Sequence, residues 1–162
     1  MLNKNFDPKD FEATIYQEWL LEKTSTVDPE YSIIMPPPNV TGTLHLGHAL
    51  NNTLQDIMVR FMRQKGKRVY WQPGLDHAGI ATQIVVEKKI APKKRQDLGR
   101  DQFVKEVWDW RNQSGDIILG QMRRLSVVPD WDKTMFTLDE PASKAVCKAF
   151  VDLYNQGLVY QD

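Results

Sequence analysis

Apolar and polar positions along the chain predict strands and helices in alternation. Short apolar runs at 31–35 and 68–71 are flanked by Pro, Gly or Asp, which is typical of buried strands. Apolar residues at helical spacing predict helices over 10–22, from Leu46 to Gly66, from about Thr82, from Asp101, and between Asp139 and Gly157. A strand, a long helix and a second strand in this order predict a βαβ unit with parallel strands and a right-handed crossover.

The helix that begins near Asp101 carries two specific expectations. Asp101 is expected to cap it, because a short polar side chain can accept from the first free amides. Its predicted core face consists of four residues, Phe103, Val104, Val107 and Trp108. Gly115 is expected to interrupt or bend this helix before the apolar pattern resumes.

The last predicted helix has clear signals at both ends. Asp139 stands at the cap position, Pro141 in the first turn, and Gly157 followed by Leu158 fits a Schellman ending. The residues expected to face inward are Val146, Phe150, Leu153 and Tyr154. The only cysteine, Cys147, lies in this pattern and is expected to be a buried structural thiol.

Composition indicates an ordinary globular protein. The 162 residues contain 41% hydrophobic and 26% charged residues, enough for one domain with a packed core. No apolar run is long enough to cross a membrane, and the first residues lack a secretory pattern, so the cytoplasm is the expected location. The net charge of zero makes the chain as a whole a poor electrostatic match for nucleic acid.

The turn that follows the first predicted strand is the strongest candidate for chemistry. Three prolines at 36–38 give a stiff, extended backbone that leads to Gly42. Thr41 or Thr43 is expected to cap the helix that follows. His45 and His48 lie three residues apart at the start of this helix, where free amides and the helix dipole favour an anion such as a phosphate.

A second turn, at 73–79, follows the second predicted strand. Ligands of open α/β sheets bind at the carboxyl ends of the strands, so the two turns are expected to meet in one crevice. The crevice would bring together three histidines, His45, His48 and His77, and the carboxylate of Asp76, which could receive a ligand ammonium. Gly47 has no side chain and would let a base or ribose approach the helix backbone.

Simpler interpretations of these residues remain open. Either histidine of the pair could simply cap or pack the helix, and Asp76 could be only a turn-forming residue. Two imidazoles three apart on a helix could also share a metal ion, although the chain offers few further ligands for it.

The two turns resemble a known family. Residues 37–48, PPNVTGTLHLGH, are similar to the His-Ile-Gly-His region of class I aminoacyl-tRNA synthetases in its valyl form. Residues 74–83, GLDHAGIATQ, resemble the second conserved block of the valyl members, and shorter similarities extend to 160. The resemblance implies an α/β fold, with a Rossmann-like parallel sheet and flanking helices that form the first half of the class I nucleotide-binding fold. It also divides the chain into a leader helix at 1–30 and a catalytic half-domain at 31–162, ending before an editing insertion.

The resemblance implies roles for individual residues. Valine and ATP, with Mg²⁺, would form valyl-adenylate, and the valyl group would pass to tRNA(Val) on the complete enzyme. His45 and His48 would be catalytic. The implied ATP-binding residues are Thr43, His45, Gly47 and His48, and the implied amino-acid-binding residues are Pro37, Asn39 and Asp76.

The family's Lys-Met-Ser-Lys-Ser loop is not found in the sequence, so the chain resembles an N-terminal fragment. One hypothesis is a catalytic fragment that activates valine. A second is a non-catalytic module that binds ATP or a complementary C-terminal part of the enzyme without turnover. An isoleucine-specific relative is a third.

Overall fold

The structure of the protein, a computed structural model, describes residues 7–21 and 28–161. Its helices are α1 (Glu12–Leu21), α2 (Leu46–Gln64), α3 (Ile80–Ile90), α4 (Arg95–Leu98), α5 (Arg100–Arg124) and α6 (Glu140–Asn155). Its strands are β1 (Tyr31–Ile34), β2 (Val69–Gln72), β3 (Gly74–Leu75) and β4 (Met135–Phe136). Single 3-10 turns lie at Pro8–Asp10 and Trp131–Lys133.

The strands pair in parallel, as the βαβ pattern predicts. β1 pairs with β2, and β3 pairs with β4. The carbonyls of Gln72 and Asp76 accept from Met35 and Val40, whereas those of Pro73 and Leu75 accept from the segment that contains β4. Because successive carbonyls along a strand point to opposite edges, residues 69–76 lie between two parallel neighbours. The predicted α/β class with a parallel sheet is confirmed.

The core lies between this strand arrangement and helices α2 and α5. Its buried members are Met35, Val40, Val59, Val69, Trp71, Leu75, Ile118, Met122, Val127 and Phe136. The indole N–H of Trp71 donates to Gln55 Oε1 at 3.0 Å, which satisfies a polar atom that burial would otherwise leave unpaired.

Helix α2 buries its more polar side and exposes its apolar one. Asn52, Gln55 and Val59 are buried, and Gln55 serves as the partner of the core indole. The exposed stripe consists of Leu46, Leu50, Leu54, Ile57, Met58 and Phe61. The helical spacing therefore predicts the helix correctly, but the apolar stripe does not mark the side that packs against the sheet.

The most buried side chain of helix α1 is a tyrosine that the apolar pattern does not include. Tyr16 is buried, and its hydroxyl donates to the carbonyl of Val127 at 3.1 Å and accepts from the indole of Trp131 at 3.0 Å. The apolar pattern that predicts this helix consists of Phe11, Ile15, Trp19 and Leu20. Phe11 and Ile15 are exposed, whereas Trp19 and Leu20 are half-buried. The remainder of the predicted leader, at 1–6 and 22–27, lies outside the described residues.

Two expectations about α5 are wrong. The helix is continuous from Arg100 to Arg124, so Gly115 does not interrupt it. Gly115 is buried instead, and a Cβ there would stand 3.0 Å from Leu75 Cδ1, which explains the absence of a side chain by close packing. The cap position is held by Gly99, with φ of 75°, rather than by Asp101 in the first turn.

The predicted inward face of α6 is also wrong. None of its residues is buried, and the expected core residues Val146, Phe150, Leu153 and Tyr154 are between 42% and 68% exposed. Cys147 is exposed rather than a buried thiol. An amphipathic pattern predicts a buried face only if another element covers it, and no described element does so here. The ends of the helix agree better with the sequence.

The Schellman ending of α6 is confirmed. The amide of Leu158 donates to the carbonyl of Leu153 at 3.0 Å, and that of Gly157 to Tyr154 at 2.9 Å, with φ of 71° at Gly157. Asp139 occupies the cap position, but its side chain accepts from the amide of Phe136 instead of the helix amides. Across 7–21 and 28–161, no helix combines the length and the apolar character needed to span a membrane.

Candidate functional site

The two turns singled out in the sequence converge. The amide of Asp76 donates to the carbonyl of Pro38 at 2.8 Å, and the amide of Val40 donates to the carbonyl of Asp76 at 3.0 Å. Asn39 and Asp76 thus form a parallel bridge. Gly74 permits the approach, because a Cβ there would lie 3.5 Å from Pro37 Cβ and 3.1 Å from a backbone oxygen of β4. The predicted neighbours Pro37, Asn39 and Asp76 are brought to one edge of the strands.

Helix α5 holds the first turn in place through three side chains. The indole N–H of Trp110 donates to the carbonyl of Val40 at 2.7 Å, and the Ser114 hydroxyl donates to the carbonyl of Gly42 at 3.1 Å. The amide of Leu44 donates to the side-chain carbonyl of Gln121 at 2.8 Å. These contacts satisfy backbone groups of an irregular segment that no strand or helix pairs. The turn is therefore fixed before any ligand arrives.

The N-terminus of α2 is capped by its own histidines. His45 is the cap residue, and its Nδ1 accepts from the amide of Gly47 at 3.1 Å. The Nδ1 of His48 accepts from the amide of His45 at 3.2 Å, which completes a reciprocal capping box. The expectation that Thr41 or Thr43 caps this helix is wrong, because the helix begins at Leu46 and the imidazole takes that role.

These caps fix the tautomers of the two rings. Each Nδ1 accepts from a backbone amide, so a neutral ring must carry its proton on Nε2. Burial, and secondarily the nearby His45 charge, lowers the pKa of His48, which favours its neutral form. The ring centroids lie 3.9 Å apart. The helix terminus thus carries two adjacent imidazoles whose remaining nitrogen is a hydrogen-bond donor.

Gly47 has a local structural reason to be glycine. A Cβ at this position would stand 2.9 Å from Cε1 and 3.0 Å from Nδ1 of His45. A side chain would therefore displace the capping imidazole. Gly47, Thr43 and His45 are all exposed at the surface of this terminus.

The Asp76 side chain is hydrogen-bonded to Thr137, the residue that follows β4. The Thr137 hydroxyl donates to Asp76 Oδ1 at 3.0 Å and accepts from the amide of His77 at 2.9 Å. The side chain of Asp76 is 33% exposed, so part of its carboxylate remains accessible. Thr137 is a site residue that reasoning from residue types alone did not single out.

His45 and His48 do not contact the Asp76 carboxylate, although both turns follow the carboxyl ends of parallel strands. Among the described residues, no hydrogen bond or ring contact joins His45 or His48 to Asp76. A cavity of about 590 Å³ lies beside His77, between α3, α5 and the segment after β4. Its lining includes Val40, Trp108 and Phe136 but none of the seven predicted site residues. This cavity therefore contains neither His45 nor His48, and the single crevice with three histidines stays a prediction.

A signal for the α5 anchors exists in the sequence. Trp110, Ser114 and Gln121 are polar or amphipathic residues on a helix whose buried face contains Ile118 and Met122. Positions four and seven residues apart share a helical face, so donors and acceptors there are expected to meet backbone groups of a packed segment. Thr137 gives no comparable signal, because it follows the two-residue strand β4 and lies on no helical face.

The described residues offer no evident metal site. Within 7–21 and 28–161, no three His, Cys, Asp or Glu side chains are grouped closely enough to hold an ion. The His45–His48 pair uses both Nδ1 atoms for the helix backbone.

Comparison with known proteins defines the class. The family "tRNA synthetases class I (I, L, M and V)" matches residues 9–162. The chain therefore belongs to the class I tRNA synthetases.

Curated relatives narrow the resemblance to one member of that class. The chain is 50% identical over its whole length to a valine–tRNA ligase of Rhodopseudomonas palustris, and covers 18% of that protein. It is 52% identical to the valine–tRNA ligase of Syntrophotalea carbinolica, with 99% of the chain and 19% of the relative covered. The chain thus spans less than a fifth of the length of these relatives.

A solved structure supports the fold. A LeuRS–tRNA–LeuAMS ternary complex from Agrobacterium radiobacter matches with a TM-score of 0.78, covering 98% of this chain and 19% of that one. At 21% identity, this similarity shows the fold alone. It agrees with a Rossmann-like class I architecture.

Proposed function

We propose that this chain is the part of a valine–tRNA ligase that binds ATP phosphates and the valine ammonium during formation of valyl-adenylate. One observation carries the proposal. The imidazoles of His45 and His48 lie side by side at a helix N-terminus, with both Nδ1 atoms used and both Nε2 atoms free to donate. Anionic oxygens are the matching ligands for such donors at such a terminus.

The histidines would act as fixed donors rather than as acids or bases. In the proposed step, a valine carboxylate oxygen attacks the α-phosphorus and forms a new P–O bond. The bond from that phosphorus to the bridging oxygen breaks, and pyrophosphate leaves. Negative charge on the phosphoryl oxygens would be stabilised by the Nε2–H groups of His45 and His48, which the capping bonds already orient.

The amino-acid side of the proposed site is the Asn39–Asp76 bridge. The Asp76 carboxylate is partly exposed and could accept from the valine ammonium. Pro37 and Asn39 are exposed beside it and could contact the rest of the amino acid. Thr43 and Gly47 lie near the phosphate-binding terminus and would contact ATP.

The described residues form no Mg²⁺ site made of protein side chains alone, because no three possible ligands are grouped together. Mg²⁺ usually binds through one or two carboxylates together with substrate phosphates. The metal would therefore accompany ATP through its phosphates.

Transfer of the valyl group to tRNA(Val) would require the rest of a full-length ligase. The relatives are about five times longer than the chain, since it covers only 18% to 19% of them. Valine specificity is supported by relatives at about half identity that are all valine–tRNA ligases.

Valine-dependent ATP–pyrophosphate exchange tests the proposal. It is measured on the 162-residue chain and on a chimera in which the chain replaces the matching first part of the Rhodopseudomonas palustris ligase. Exchange by the chimera should fall about 10²–10³-fold with either His45→Ala or His48→Ala, since each removes one preorganised donor. An exposed α6 variant, Lys144→Ala, serves as the control and should leave exchange unchanged.

The outcomes separate the hypotheses. Exchange by the chimera but not by the isolated chain supports a binding portion without turnover of its own. Exchange that is indifferent to both histidine substitutions contradicts the assigned donors. Preference for isoleucine over valine in the same assay contradicts the valine assignment.

A further inference from the structure

Thr137 lies at the centre of a small hydrogen-bond network. Its hydroxyl oxygen is 3.0 Å from Asp76 Oδ1, 2.9 Å from the amide nitrogen of His77 and 2.5 Å from His77 Nδ1. Its own amide donates to the carbonyl of Leu75 at 3.1 Å, which fixes the backbone of Thr137 beside the strand. One side chain thus contacts two consecutive residues of the second turn.

The direction of each hydrogen bond follows from the available protons. A threonine hydroxyl has one proton and two lone pairs, and an ionised carboxylate can only accept. The proton of Thr137 must therefore go to Asp76, and both lone pairs must accept. The amide of His77 uses one lone pair. The second can accept only from a protonated Nδ1 of the same residue.

We propose that Thr137 is a positioning residue that orients the Asp76 carboxylate and holds His77 as its Nδ1–H tautomer. This tautomer is the opposite of the one imposed on His45 and His48, whose Nδ1 atoms accept. A neutral His77 then has its lone pair on Nε2. Since His77 lines the cavity of about 590 Å³, a polar ligand group that meets this nitrogen there must donate to it.

The consequence for the amino acid rests on the proposed function. A carboxylate that binds an ammonium must keep a fixed orientation, because the strength of a charge-assisted hydrogen bond depends on its distance and angle. Thr137 occupies one position on Oδ1, and His77 Nδ1 lies 3.4 Å from the same oxygen, so Oδ2 is the oxygen left for the ligand. Loss of the hydroxyl would free the carboxylate to rotate, and binding of the ammonium would weaken.

Histidine NMR of the full 162-residue chain tests the network without any ligand. With the rings neutral, long-range ¹H–¹⁵N spectra distinguish a protonated from an unprotonated Nδ1, and His77→Gln assigns the signal of that ring. We expect Nδ1–H at His77 and Nε2–H at His45 and His48, which provide an internal reference. An Nε2–H tautomer at His77 overturns the proposal.

Substitution at Thr137 provides the second measurement. Thr137→Val keeps the shape but removes the hydroxyl, so hydrogen exchange of the His77 amide should become about tenfold faster. Thr137→Ser should restore the slower rate. The control is Thr134→Val, whose hydroxyl donates only to the carbonyl of Trp131 at 2.6 Å and touches neither Asp76 nor His77. Equal exchange in the Thr137→Val and wild-type chains contradicts the network.

Ligand binding separates this inference from the proposed function. In the presence of ATP, Thr137→Val should weaken valine binding about tenfold but leave 3-methylbutanoate, which lacks the ammonium, unchanged. Thr137→Ser should recover the affinity for valine. Equal binding of the two compounds by the wild-type chain contradicts the proposed amino-acid site. A wild-type preference for valine that persists in Thr137→Val contradicts the positioning role.

Discussion

The indole N–H of Trp110 donates to the backbone carbonyl of Val40 at 2.7 Å and so ties α5 to the turn before α2. Val40 is fully buried in the folded chain, and the indole is the hydrogen-bond partner of its carbonyl. Trp110→Phe should lower the free energy of unfolding by about 1–3 kcal/mol, because a buried acceptor loses its donor. Urea denaturation of the chain measures this change.

Trp108→Phe is the matched control for that substitution. Trp108 lies on the same helix, is 44% exposed and packs edge-on against Phe136. Within the described part of the chain, its indole N–H makes no hydrogen bond. Its replacement should change stability by no more than about 0.5 kcal/mol. Equal losses from both substitutions would show that aromatic bulk, rather than the bond to Val40, stabilises the turn.

Two glycines of α5 should respond in opposite ways to alanine. Gly115→Ala places a Cβ 3.0 Å from Leu75 Cδ1 and should cost about 1–3 kcal/mol, because the core must shift to accept a methyl group. Gly120→Ala meets no atom within 4 Å and should stabilise the helix by about 0.5–1 kcal/mol. Thermal unfolding of both variants checks the pair. Stabilisation by Gly115→Ala contradicts the close packing of α5 on β3.

The buried face of α2 predicts which of its apolar residues contribute to stability. The amphipathic pattern alone would predict the opposite ranking. Val59→Ala removes buried methyl groups and should cost about 2 kcal/mol. Leu54→Ala, on the apolar but 54% exposed stripe, should change stability by less than about 0.5 kcal/mol. Denaturant unfolding measures both changes, and variants with the same m-value as the wild type can be compared by their midpoints. The comparison shows which face of α2 is buried. A larger loss at Leu54 than at Val59 contradicts the observed one.

The lowered pKa of His48 makes stability depend on pH in a defined direction. Burial is the main cause and the His45 charge the second, so the unfolded chain binds a proton at His48 more readily than the folded chain does. This contribution to stability is complete above the ordinary histidine pKa of about 6.5 and is lost as the pH falls below it towards the lowered value.

His48→Gln should remove this part of the pH dependence. Glutamine at the third helical position can still reach back to the cap amide, so the capping box is preserved while the titrating group is lost. Urea midpoints of wild type and variant, compared across pH 5 to 8, give the result. A variant whose stability falls with acid as steeply as that of the wild type contradicts a lowered pKa at His48.

Local chemistry explains which parts of the fold the sequence predicts. The prolines at 36–38, Gly66 and Gly157 mark element ends through backbone geometry that few other residues share, and these ends agree with the structure. The choice of buried helix face does not follow from local chemistry. It depends on which elements pack against the helix, and α6 shows an apolar face that no described element covers.

The candidate site also has features that the sequence predicts and features that only the structure shows. His45, His48 and Asp76 are recognisable because they stand in short motifs with special turn chemistry. A capping role for the histidines was one of the simpler interpretations, and the structure bears it out for both rings. The hydroxyl network of Thr137 was not predicted, since it depends on atoms placed by tertiary packing. Residue type and spacing indicate which chemical groups are present. The structure shows which of their donors and acceptors are already used and which remain available to a ligand.

Addition of ATP to the chain, followed by ¹H–¹⁵N spectra of its three histidines, tests the central claim most directly. We predict that the Nε2–H signals of His45 and His48 shift together with ATP, while the His77 signal stays in place until valine is added. The phosphate site would be contradicted by a spectrum in which ATP shifts only His77, beside the cavity, or shifts none of the three rings.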